Sequence, residues 1–115
     1  MKLGIIGSYE LLPIDLRTHL PDGIGEIISD GVGGLGDSLR QYALSKGIKM
    51  TEYFPEYEKY GPEAVRIRDQ QLISEADRVI VFQGSVLART DSVGALCREL
   101  GKPLQVIRLE TESYL

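Results

Sequence analysis

The chain has 115 residues with a formal net charge of -4, a length that suits one domain with its own core and is too short for two nucleotide-binding halves. Without a block of basic residues to neutralise phosphates, nucleic acid is not expected as the main partner. Cys97 alone cannot form an internal disulfide and His19 alone cannot build a histidine metal site, so neither staple is expected, and a reducing cytoplasm is the expected compartment.

Residues 2–6 form a short apolar run that reads as a strand. The stretch "LGIIG" is too short for a membrane span or a signal peptide, so neither is expected. A short helix is predicted around residues 14–20, between Pro13 and Pro21. A second strand, residues 25–29, runs into "SDGVGGLGDS". The helix that follows has Leu35, Leu39, Tyr42 and Ala43 on one face and Gly47 in place to close it. Residues 48–54 make a third strand, whose alternation suits a position near an edge. A third helix is predicted to start at Tyr60-Gly61-Pro62, where proline fits the first turn. Residues 78–82 and the first strand are nearly continuous in branched apolar residues, as central parallel strands are. A fourth helix carries Val93, Leu96, Cys97 and Leu100 on one face, with Asp91 or Thr90 as its N-cap, Gly101 closing it and Cys97 in the core. Residues 104–109 complete five strands. Alternation of strands and helices predicts a single-domain, Rossmann-like α/β fold: an open parallel sheet in the order 3-2-1-4-5 with helices on both faces.

The third helix breaks the pattern. At about 100° per residue, Ala64, Val65, Leu72, Ile73 and Ala76 share a sector with Arg68 and Asp69, while Ile67 faces away. Unpaired buried ions are costly. Either the two charges pair with each other or with backbone groups, or they stand at a cleft and meet a ligand. An exposed Ile67 would give the helix a partner surface and hints at a homo-oligomer.

Ligands of open parallel sheets bind beyond the carboxyl ends of the strands. Three small-residue loops fall there: "GSYE" (Gly7, Ser8, Tyr9, Glu10), "DGVGGLGD", and "QGSVLARTD" from Gln83 to Asp91. In the expected strand order they are neighbours, with glycine letting backbone N–H groups approach an anion. Read alone, each is only a turn. The middle loop matches two templates. As G-x-x-x-x-G-x-S it lacks the phosphate-binding lysine, because Asp37 occupies that place, so a triphosphate clamp is excluded on charge. As G-x-G-x-x-G (Gly31, Gly33, Gly36) it fits one strand-turn-helix unit, with Glu56 near the interval of a ribose contact. The stretch "FPEYEKYGPE", with Glu56, Tyr57, Glu58 and Tyr60, is otherwise read as a solvated acidic loop without an assigned role.

Taken in order, the Gly-Ser turn, "GVGGLGDSLRQYALSKGI", "YGPEAVRIRD", "ADRVIVFQGS" and a threonine-containing turn into the last helix resemble the SLOG superfamily over nearly the whole chain. These are Rossmann-like domains shared by the LONELY GUY phosphoribohydrolases, the DNA-processing protein A family and small stand-alone bacterial proteins. The resemblance implies a site for a nucleotide or nucleotide-derived small molecule at Gly7, Ser8, Tyr9, Gly31, Gly33, Gly34, Gly36, Asp37, Arg68, Asp69, Gly84, Ser85, Arg89 and Thr90. The chain also departs from the family. Tyr9 and Gly34 stand where relatives often carry arginine, a charge that Arg89 would have to supply. "QGSVLARTDSV" lacks the proline-diglycine and glutamate of the phosphoribohydrolases. The expected function is therefore binding, as a sensor or carrier. The alternatives are an N-glycosidic hydrolase using Asp37, Asp69 or Asp91, and a structural subunit with no ligand.

Overall fold

The computed structural model describes residues 1–7, 15–31, 33–84 and 88–109, with Ala88 and Arg89 described in their backbone only. Five strands, β1 (Lys2–Gly7), β2 (Glu26–Ser29), β3 (Lys49–Glu52), β4 (Arg78–Gln83) and β5 (Leu104–Arg108), form one parallel sheet. Its order is β3-β2-β1-β4-β5, as the alternation of elements predicts. The helices are α1 (Gly33–Lys46), α2 (Tyr57–Tyr60), α3 (Ala64–Glu75) and α4 (Ala88–Leu100).

Period-two alternation splits the strand side chains between two cores. Leu3, Ile5, Ile27, Ile80 and Phe82 pack beneath α1, through Leu35, Leu39 and Ala43, and beneath Leu16 and Leu20. Ile6, Ile28, Val79 and Val81 pack beneath α3 and α4, through Leu72, Ile73, Ala76, Val93, Leu96 and Cys97. Both faces of the sheet are covered. This is why β1 and β4, at the centre, are buried along almost their whole length, whereas β3 and β5, at the edges, are not. The two glycines expected to end helices do so: Gly47 and Gly101 sit just past α1 and α4, and Ile48 N–H and Lys102 N–H reach back to the carbonyls of Ala43 and Cys97 at 2.9 Å each.

Several expectations are corrected. The helix predicted around residues 14–20 is, where described, one 3-10 turn at Leu16–Thr18, with Asp15 accepting from Arg17 N–H at its head. The predicted third helix is divided, because Gly61 takes a left-handed φ of 57° after α2; a 3-10 turn, Gly61–Glu63, holds the proline and α3 starts only at Ala64. Thr90 and Asp91 do not cap α4, which begins two residues before Thr90, so both lie within its first turn. Ile67 is half-buried rather than fully exposed. β3 is shorter than the predicted third strand, and Phe54 lies beyond it, 62% exposed.

Candidate functional site

The sheet order makes β2, β1 and β4 consecutive, so their last residues, Ser29, Gly7 and Gln83, are neighbours at the carboxyl edge. Gly7 ends β1 and stands in register with Phe82 of β4, one residue before Gln83 and two before the half-buried Gly84. Ser8, Tyr9 and Ser85 lie outside the described residues, as does the Arg89 side chain.

The turn between β2 and α1 is tight. Gly31 takes a φ of 68°, and its N–H donates to Ser29 Oγ at 3.0 Å. α1 already begins at Gly33, so Gly33, Gly34 and Gly36 are the first residues of a helix rather than an open loop. A Cβ on Gly36 would stand 2.7 Å from both the carbonyl carbon and the oxygen of Gly31. Gly36 therefore serves close packing of helix against strand, the role of the third glycine in the dinucleotide fingerprint. Gly33, exposed, and Gly34, half-buried, form the head of the helix, whose N–H groups have no partner within the helix.

Asp37 is not at the head of that helix and does not cap it. It stands in the second turn, where Arg40 Nη1 binds its carboxylate at 2.7 Å. The same guanidinium binds Glu52 Oε1 through Nε at 3.0 Å and the Gly31 carbonyl at 3.3 Å. Arg40 is thus a clamp tying the glycine turn to the edge strand, and its hydrogen bond to Glu52 pushes its pKa up.

On the opposite face, α3 turns Arg68 and Asp69 inward, as their spacing predicts, and their side chains are each only 3% exposed. Arg68 Nε donates to Asp69 Oδ1 at 2.8 Å, and Nη1 donates to the Tyr53 carbonyl beyond β3 at 3.4 Å. The pair is an internal ion pair tied to backbone, the first of the two alternatives the spacing leaves open. A guanidinium has five N–H donors. Arg68 Nη2 makes no hydrogen bond with any described residue. Fixed charge and unspent donor capacity therefore coexist near the end of β3.

Further polar residues at this edge are buried. Asp30, one residue past β2, is 3% exposed, and Gln83, the last residue of β4, is 6% exposed. Gln83 continues the side of β4 that holds Val79 and Val81, so it faces α4. With Thr90, Asp91, Val106 and Arg108 it lines a recess of about 590 Å³ between the ends of β4 and β5 and the first turn of α4. A second recess, of about 580 Å³, runs along the seam of α3 and α4 past Asp69. The signal for Gln83 was present: it is the polar end of "RVIVFQ", an otherwise apolar strand after its first residue.

Cys97 is buried under α4, and desolvation pushes its thiol pKa up. Among the described residues, no group of three or more His, Cys, Asp or Glu is placed to hold a metal ion, and no helix is long and apolar enough to cross a membrane. Comparison with family models, with curated proteins and with solved structures gives no match in any of the three.

Proposed function

We propose that the protein binds a nucleotide or nucleotide-derived anion at the carboxyl edge of its sheet, as a sensor or carrier module of the SLOG type. The observation that carries this reading is Arg68: a guanidinium 3% exposed that spends only Nε and Nη1 on described partners. Buried donors left without acceptors cost stability, and an anionic oxygen supplies the missing acceptors with charge assistance. The head of α1, with Gly33 exposed and Gly34 half-buried, adds backbone donors, and the helix dipole favours negative charge there. The order of motifs that resembles the SLOG superfamily supports the same reading, as does the buried single thiol for a reducing cytoplasm.

Binding is favoured over N-glycoside hydrolysis because two of the three candidate carboxylates are already engaged. Asp37 is held by Arg40 at 2.7 Å and Asp69 by Arg68 at 2.8 Å, which leaves Asp91 for a ribosyl centre.

The test is native mass spectrometry of the purified protein, followed by thermal shift with nucleoside mono- and diphosphates, ADP-ribose and dinucleotides. A retained ligand or a saturable rise in melting temperature is expected. Arg68→Lys, which keeps the charge but loses the planar fork, should diminish that rise while the unliganded protein stays folded. Absence of any shift at millimolar concentration contradicts binding, and release of free base from a nucleoside monophosphate would make the protein a hydrolase.

A further inference from the structure

We infer that the recess between β4, β5 and the first turn of α4 is a specificity subsite, in which the Gln83 carboxamide reads a planar donor–acceptor edge of the ligand. The edge belongs to a nucleobase or to a carboxamide such as that of nicotinamide. This rests on the nucleotide reading above and says which part of such a ligand enters which part of the edge.

Three observations converge. First, Gln83 is only 6% exposed, yet its side chain makes no hydrogen bond with any described residue. A primary amide offers two donors and a carbonyl acceptor, and burying it without partners is unfavourable. Native proteins rarely leave such a group unsatisfied, and an amide at the wall of a recess is placed to pair with what enters it. Second, the group is not sealed in a core, since it lines a recess of about 590 Å³, within the range of small-molecule pockets. Third, the parallel register of β4 and β5 pairs Val81 with Val106 and Gln83 with Arg108. Register partners in a parallel pair project to the same face, so Arg108 stands beside Gln83 over the recess. Arg108 is exposed and makes no ion pair with any described residue. A planar guanidinium of this kind stacks on flat rings.

The complement of a primary amide is a flat edge with a donor next to an acceptor. Glutamine makes the same bidentate pair with adenine in nucleic-acid recognition. Thr90 and Asp91, in the first turn of α4, add a hydroxyl and a carboxylate able to accept from an amino group. Val106 gives an apolar wall. Opposite charges on Arg108 and Asp91 leave the recess without a net charge, which suits a neutral heterocycle better than a phosphate.

The experiment compares AMP, nicotinamide mononucleotide and ribose 5-phosphate by calorimetric titration, using the full chain and its Gln83→Met variant. The intact protein should bind at least one of the two edge-bearing ligands about 5- to 150-fold more tightly than ribose 5-phosphate, the range expected for one bidentate pair. Which of the two gains identifies nucleobase or carboxamide. Gln83→Met should erase that gain, leave ribose 5-phosphate affinity unchanged, and leave the unliganded melting temperature the same or about 4 °C higher, because an unsatisfied amide has gone. Equal affinity for all three ligands, or a preference that survives Gln83→Met, would overturn the subsite and leave anion binding standing. A fall in unliganded melting temperature would show that the amide is satisfied without a ligand, which also overturns it. Failure of all three ligands to bind would remove both readings.

Discussion

Replacing Arg68 by methionine deprives the Asp69 carboxylate of a guanidinium at 2.8 Å in a site where both side chains are 3% exposed. Removing one partner of a buried ion pair costs about 3–5 kcal/mol, because the remaining charge keeps its desolvation penalty without the compensating attraction. A chain of 115 residues has a total stability of roughly 6–17 kcal/mol. Each single variant, Arg68→Met and Asp69→Leu, should therefore lose a large share of it and melt about 12–20 °C lower. The double variant should recover most of the loss, since apolar replacement of both partners removes both desolvation terms. Its residual deficit is at least about 1 kcal/mol, for the donor that the Tyr53 carbonyl loses and for a further interaction of Asp69. The coupling energy of the cycle is then at least about 3 kcal/mol. Guanidinium unfolding followed by far-UV circular dichroism and tyrosine fluorescence measures it, the chain having six tyrosines and no tryptophan. Single-variant costs below about 1 kcal/mol that simply add would mean the pair behaves as a surface ion pair, and would refute the assignment of a buried charge at this edge. The folded double variant serves a second purpose: it should bind no nucleotide, separating the role in binding from the role in folding.

The other expectations are simpler to state. Gly36→Ala puts a methyl 2.7 Å from backbone atoms of Gly31 that cannot swing away, so overpacking of about 1–3 kcal/mol should lower the melting temperature by several degrees; an unchanged melt would mean the β2–α1 turn yields more readily than its packing implies. Arg17 holds the Asp15 carboxyl down to about 2, first by its side-chain hydrogen bond and then by its backbone N–H. Because the folded value is depressed, whatever stability this pair gives is present above the ordinary carboxylate range and is lost as pH falls toward 2. The pair is exposed, so a carboxyl titration by NMR should show a midpoint near 2 that rises with salt; a midpoint in the ordinary range would disprove the contact. Burial raises the Cys97 thiol, so the unfolded chain gives up that proton first and stability should decline as pH climbs through the ordinary thiol range. Thiol reagents should modify Cys97 slowly in the native protein and rapidly in denaturant, and equal rates would show the thiol to be accessible.

Strand order and the two-sided core were legible because uninterrupted apolar runs at β1 and β4 can be buried only at the centre of a covered parallel sheet. The inward turn of Arg68 and Asp69 was legible for a related reason, since helical spacing places them with Leu72 and Ile73 whatever their charge. Their pairing was not, because adjacent residues meet only when rotamers and the Tyr53 carbonyl arrange it. The place of Asp37 in the second turn of α1 was not legible, because the turn before α1 is shorter than its glycines imply: Gly36 packs against Gly31, a tertiary demand with no trace in a spacing pattern. Thr90 and Asp91 were misplaced likewise, as strong capping residues that the helix overruns. Gln83 was passed over as one letter in a glycine-serine turn. Only the register that sets it beside Arg108, and the burial of its amide, give it weight.

The central claim is that the carboxyl edge of this sheet binds nucleotides, and a titration of the uniformly 15N-labelled protein with nucleoside monophosphates, read by amide chemical shifts, tests it most directly. Saturable shifts should gather at Gly7, Gly31 to Gly36, Arg68, Gln83, Gly84 and Thr90, leaving the opposite end of the strands, around Lys2, Glu26 and Arg78, unmoved. No shifts at millimolar nucleotide, or shifts gathered at that opposite end, would contradict the account.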